Sequence, residues 1–241
     1  MEKDLSELVE KLKQAAGGNL KSVVLYGSAA SGDFQPKHSD LNILCVLERL
    51  DGAELAKLNP TAAWWARKGH PAPLVFTLEE LHRLADVFAI ELLDIQASRR
   101  VLDGEDVFAS LRVPMRLHRE QVERELHTNL VRLRQGSLAT VQSDANLERL
   151  MSASVSTFVA LFRHALIALD VEPPQGKRAV VDRLASLLGF DASGLHAVLD
   201  AREGKRPLRS AGVPATFAAY LAEVTRVAEE VDRRLASGKS S

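Results

Sequence analysis

The sequence predicts a two-part chain: an α/β domain with a covered sheet over residues 1–112, then an all-α helical bundle over residues 113–241. Three observations carry that division. Short apolar, β-rich runs alternate with helical patterns in the first part, as expected of strands covered by helices. Beyond Val113-Pro114 the patterning is helical throughout. Charge divides at the same place: residues 1–112 hold 13 basic and 17 acidic side chains, a net of −4, and the remainder carries +3.

The elements follow in order. The N-terminal stretch MEKDLSELVEKLKQ is charged and helix-like. Val23-Val24-Leu25-Tyr26 is a brief apolar run that stops at Gly27, and Leu41 to Leu47 (LNILCVL) is a second, with helix-like stretches on either side. Leu74-Val75-Phe76 is a third, entered through Pro71 and Pro73, and Thr77-Leu-Glu-Glu80 reads as a capping box that opens a short helix. Glu91 to Ile95 (ELLDI) fits either a fourth strand or a helix end, because a short apolar run does not separate the two. In the second part, Leu117, Val122, Leu126, Leu130 and Leu133 fall roughly on one helical face. Residues 147–169 are apolar nearly all round, which marks a central bundle helix, and further helices are expected over 177–188, 192–200 and 216–235. The last residues, SGKSS, read as a frayed tail.

Composition narrows the class. Of 241 residues, 46% are apolar and 26% charged, which excludes wholesale disorder. A net charge of −1 advertises neither a nucleic-acid nor a membrane partner. The single cysteine, Cys45, forms no internal disulfide and points to a reducing compartment. With a charged N-terminus in place of an apolar leader, and no uncharged apolar run of transmembrane length, the expectation is a cytoplasmic protein.

Chemistry concentrates in Val23 to Leu47, VVLYGSAASGDFQPKHSDLNILCVL. A strand ends in Gly27-Ser28, where backbone N–H groups of a strand-to-helix turn are unpaired and suit a phosphate. By itself such a Gly-Ser is an ordinary tight turn. It is neither a Walker loop, since Asp33 stands where Lys is required, nor a dinucleotide fingerprint. Ser39-Asp40-Leu41-Asn42 sharpens it: strand alternation puts residues 40 and 42 on one face, two oxygen ligands one repeat apart. Here the sequence resembles the nucleotidyltransferase superfamily, the DNA-polymerase-β-like fold. Its pattern is hydrophobic-Gly-Ser, a spacer, Asp-hydrophobic-Asp/Glu on the next strand, and a third carboxylate on a later strand. Gly27, Ser28 and Asp40 match in order and spacing, over a resemblance of roughly residues 20–105.

The resemblance implies a small mixed sheet covered by helices and then a helical bundle, a layout similar to aminoglycoside adenylyltransferases and other two-domain bacterial relatives. It implies that Gly27 and Ser28 hold nucleotide phosphates, with Lys37 in reach of them, and that Asp40, Asn42 and a third carboxylate coordinate Mg²⁺. Asp94, between Leu93 and Ile95, is the choice for that third carboxylate, and Glu91 is the alternative. The activity implied is transfer of a nucleoside monophosphate from a nucleoside triphosphate to a hydroxyl acceptor of unknown identity. Asn42 departs from the pattern: a neutral amide with one carbonyl oxygen is a poor bridge between two metal ions, so catalysis is weakened. The competing reading is a catalytically degenerate fold kept as a nucleotide-binding or protein-binding, antitoxin-like module.

Other signals have structural readings. Lys37 and His38 suit a solvated loop, and Arg116, Arg119, Arg124, Arg132 and Arg134 share no single stripe, so a solvated helix surface is expected. The basic run at Lys205, Arg206 and Arg209 has no aromatic interleaved, which argues against nucleic acid. The seven histidines form no zinc motif. Cys45 reads as a packing residue. Trp64 and Trp65 read as helix-to-sheet packing rather than base stacking.

Overall fold

In the computed structural model, which describes residues 1–31, 40–139, 143–208 and 212–238, the chain forms two compact units, Met1–Pro114 and Met115–Ser241.

The first unit is a four-stranded sheet between two helical layers. Helix α1 (Glu2–Ala16) turns Leu5, Leu8, Val9 and Leu12 inward at helical spacing, with Glu2 and Asp4 in its first turn and Lys13 in its last, the signs the helix dipole favours. Strand β1 (Leu20–Tyr26) is followed by the single turn α2 (Ser28–Ser31), and strand β2 (Asn42–Leu47) by helix α3 (Gly52–Arg67). The Asp51 carboxylate caps α3, accepting from the backbone N–H of Ala53 at 2.8 Å and Glu54 at 2.9 Å. Strand β3 (Leu74–Thr77) leads into α4 (Leu78–Leu84) through the expected capping box. In it, Glu80 N–H donates to Thr77 Oγ1 at 3.1 Å and Thr77 N–H to the Glu80 carboxylate at 2.8 Å. Helix α5 (Ala89–Ala97) and strand β4 (Arg99–Gly104) complete the unit.

The sheet order is β3-β2-β1-β4, with β1 antiparallel to both β2 and β4, and β2 parallel to β3. It is the small mixed sheet expected. Both faces are buried. Val23, Leu25, Ile43, Cys45 and Leu47 pack against α1 and α3, through Leu8, Leu12, Leu58 and Trp65. Val24, Leu44 and Val46 pack on Leu81, Leu92, Ile95, Phe108 and Leu111. Two buried faces explain why LNILCVL reads as an unbroken apolar run without alternation.

Residues 91–95 are helical, the second of the two readings open in the sequence. Ala89, Leu92 and Ile95 make one buried face at a spacing of three. The fourth strand lies just beyond, where two arginines and a glycine in RRVLDG mask it. Among the described residues it is an edge strand paired only with β1, so it has little need of an apolar run. Gly104 closes it at φ +79°, where a Cβ would sit 2.0 Å from the Lys21 carbonyl oxygen.

The second unit contains α6 (Met115–Ala139), α7 (Asp144–Ala168), α8 (Lys177–Leu188), α9 (Ser193–Arg202) and α10 (Val213–Gly238). Helix α7 is central: it packs against α6, α8, α9 and α10, and its Met151, Val155, Phe158, Phe162 and Leu166 are buried. By length and composition alone it would pass for a membrane span, with half of the relevant window buried inside the protein. Phe158 meets Tyr220 edge-on, and the Tyr220 hydroxyl is hydrogen-bonded to Ser154 Oγ at 2.9 Å. Buried Glu223 accepts the N–H groups of Gly194 and Leu195, each at 2.7 Å, and so ties α10 to the start of α9. The arginines of α6 are engaged at its surface. Arg116 pairs with Glu120 at 2.6 Å, and Arg119 grips both oxygens of Asp170.

Candidate active site

Antiparallel pairing of β1 and β2 brings the two halves of the motif to one end of the sheet. The register sets Tyr26 opposite Asn42, so Gly27 and the entry to β2 are neighbours although fifteen positions separate residues 27 and 42. Gly27 has φ +77°, a conformation that a side chain strains, and its carbonyl accepts the Ala30 N–H at 2.9 Å as α2 begins. A Cβ on Gly27 would lie 3.4 Å from Asn42 Nδ2, which places the Asn42 amide directly against the turn. Ser28 opens α2. Lys37 and His38 lie outside the described residues.

Asp40 is exposed and immediately precedes Leu41, which is 1% exposed and anchors the entry to β2. The strand itself starts at Asn42, so Asp40 stands just ahead of the pleat from which its face was inferred. The neighbour that the sequence did not reveal is His70. Its Nδ1 accepts the Leu41 N–H at 3.5 Å, and its ring lies 4.4 Å from that of Trp65. Burial against this surface holds the imidazole below its ordinary range, while the negative charge of Asp40 opposes that shift. No motif marks His70. Its position follows from the parallel pairing of Leu44 with Leu74, which sets the residues ahead of β3 beside those ahead of β2.

Asp94 reaches this region by a different route from the one its hydrophobic-acid-hydrophobic pattern implied. It is half-buried in the last turn of α5, with Glu91 exposed one turn earlier. Its backbone carbonyl accepts the Ser98 N–H at 3.0 Å, and the Ser98 carbonyl accepts the Gly27 N–H at 3.1 Å. The helix end that carries Asp94 is thus hydrogen-bonded, through Ser98, to the Gly27 turn. The later strands do not supply a third acid at this end. β3 contains none, and Asp103 of β4 pairs with Val23, roughly 10 Å further along the sheet at the usual rise per residue, where it binds Lys13 at 2.8 Å.

Among the described residues no three His, Cys, Asp or Glu side chains are grouped to hold a metal ion. Among the described residues, the oxygen donors at the entry to β2 are one exposed carboxylate, Asp40, and one neutral amide, Asn42, with the Asp94 helix tied to the same turn. That set fits a single Mg²⁺ that brings its own phosphate and water ligands, because such an ion needs only one or two protein carboxylates. It does not fit a pair of ions bridged between two strand carboxylates.

Residues 5–95 match the family model described as the nucleotidyltransferase domain. Comparison with curated proteins yields no match. Among solved structures, the spectinomycin adenyltransferase of Enterococcus faecialis, determined with ATP and spectinomycin, superposes with a TM-score of 0.57 at 14% identity. The match covers 93% of this chain and 98% of that one, so the shared fold takes in the helical part as well as the sheet.

Proposed function

We propose that the chain, whose residues 5–95 match the nucleotidyltransferase domain, transfers a nucleoside monophosphate from a magnesium-bound nucleoside triphosphate to the hydroxyl of a small molecule. The observation that supports this best is the β1–β2 register, which gathers the Gly27 turn and the Asp40–Asn42 entry at one sheet end. Gly27, free of a Cβ, lets the phosphates approach the backbone, and Ser28 stands beside it. Asp40 and Asn42, with Asp94 as the further carboxylate, are the residues that would hold Mg²⁺. Bound there, the ion would supply charge neutralisation for the phosphates. The acceptor oxygen attacks the α-phosphorus, a new O–P bond forms as the bond to pyrophosphate breaks, and Asp94 takes the hydroxyl proton. The neighbouring fold binds ATP and spectinomycin, which makes ATP the first nucleotide to test and spectinomycin the first acceptor.

Thermal unfolding of the wild type and Asp40→Ala with each nucleoside triphosphate, with and without Mg²⁺, tests the reading. A ligand at 100 times its Kd adds about 2.7 kcal/mol to the folded state. A magnesium-dependent shift that disappears in Asp40→Ala supports it, and the absence of any shift sinks it.

A second reading rests on a specific observation: Asn42 occupies the motif's second acid position, and β3 offers no carboxylate. On this reading the fold binds a nucleotide or a protein partner without transferring anything. Asn42→Asp separates the two. Transferase activity that appears or rises at least tenfold in the variant favours the degenerate reading. An active wild type that loses activity in Asn42→Ala favours the enzyme.

A further inference from the structure

The two tryptophans singled out in the sequence have different fates. Trp65 is fully buried and packs α3 on the sheet, whereas Trp64 is only partly covered. Trp64 lines a groove between α1 and α3, with a cavity volume of about 420 Å³. From α1 the groove receives Lys11 and Gln14, and from α3 Lys57, Pro60, Trp64 and Arg67. On α3 these fall at intervals of three and four, so they form one stripe along the helix.

The charge of the groove is one-sided. Three cations line it and no acidic side chain does. Lys57 is partly neutralised by Glu54 at 2.7 Å and Lys11 is weakly paired with Glu7 at 3.7 Å, but neither acid lines the groove. The Lys11 ammonium stands 5.1 Å from the centre of the Trp64 ring at the cavity wall, while that of Lys68, at 5.0 Å, lies outside the lining and is ion-paired with Asp4.

We propose that this groove is a binding site for a nucleoside phosphate, distinct from the candidate active site. The match is one of chemistry: a partly exposed indole, with the Lys11 and Lys68 ammoniums over its ring, for a base, and Lys11, Lys57 and Arg67 for its phosphate. A strand of nucleic acid would need several such planes in series, and the groove offers one. The site is placed to be felt elsewhere. Trp64 lies 5.8 Å from Trp65, whose ring meets that of His70 at 4.4 Å with a tilt of 39°, and His70 in turn meets the Leu41 N–H beside Asp40. This inference does not depend on the transferase reading, since the groove shares none of its lining with the Gly27 turn.

The test is titration of AMP into the full chain at low ionic strength, followed by calorimetry and tryptophan fluorescence, with adenosine and pyrophosphate as controls. The Asp40→Ala background weakens the candidate active site, so that binding there is not mistaken for binding in the groove. In Asp40→Ala, AMP is expected to bind with a change in fluorescence that Trp64→Leu abolishes. Lys11→Gln combined with Arg67→Gln is expected to weaken binding at least tenfold. Adenosine is expected to bind at least tenfold more weakly than AMP. Equal affinity for AMP in the double variant overturns the proposal. Pyrophosphate binding as tightly as AMP, indifferent to Trp64→Leu, overturns the assignment to a nucleoside phosphate.

Discussion

Replacing Gly27 with alanine separates the structural role of that residue from its proposed role toward phosphate. The backbone at Gly27 has φ +77°, and the left-handed region costs a residue with a Cβ about 1–2 kcal/mol. Alanine recovers about 0.4–1 kcal/mol by restricting the unfolded chain. No steric penalty adds to this, because the new Cβ would meet Asn42 Nδ2 at 3.4 Å, an ordinary contact. The net loss should be about 1 kcal/mol, or roughly 4 °C in the melting of a unit this size. The effect on nucleotide should be larger. The wild type with Mg²⁺·ATP at 100 times its Kd gains about 2.7 kcal/mol, near 10 °C, and the methyl group should remove most of that gain by holding the phosphates off the backbone. Melting curves of both proteins, with and without Mg²⁺·ATP, measure both effects. If Gly27→Ala keeps the full ligand-induced shift, phosphates do not approach the backbone here. If the ligand-free variant loses more than about 3 kcal/mol, the accounting for φ is wrong.

Three further outcomes follow from the cores. Glu223→Ala leaves the buried N–H groups of Gly194 and Leu195 without their acceptor, at about 1–3 kcal/mol each, so denaturant unfolding should show the helical unit destabilised by about 2–6 kcal/mol. Burial raises the Glu223 pKa above its ordinary value. The stabilisation linked to its proton is therefore complete below the unfolded pKa and is lost as pH rises through the folded one. Stability should fall across that window in the wild type, and a pH series on Glu223→Ala should show the slope removed. Cys45 is fully buried and its thiol is pushed up to about 12, so it should resist iodoacetamide at pH 8 until the first unit unfolds; rapid labelling of the native protein would refute this.

The motif at 27–42 was legible because each piece is a local property. A left-handed turn needs glycine, and a strand buried on both faces must be apolar throughout. The Thr77–Glu80 capping box and the helical face of Leu117 to Leu133 are legible for the same reason: their partners lie within a turn or two of chain. His70 and the place of Asp94 are different. His70 comes beside the entry to β2 through a parallel pairing with β3, and the Asp94 helix reaches Gly27 through a hydrogen bond to Ser98, some seventy residues away in sequence. The strand at residues 99–104 escaped notice because pairing with β1 at the sheet edge, rather than apolar content, makes it a strand.

By itself, then, the sequence determined the periodicities, the order of an α/β part and a helical part, and the turn that only glycine makes comfortably. Tertiary structure decided which strands pair and in what register, and hence that the Asn42 amide rests on Gly27 and that β4 carries its one acid to the far end of the sheet. It also decided which of two adjacent tryptophans is covered. The reason is physical. Local periodicity fixes which face of an element is apolar, but pairing and cover are settled by burying all such faces at once, and that depends on residues far apart in the chain.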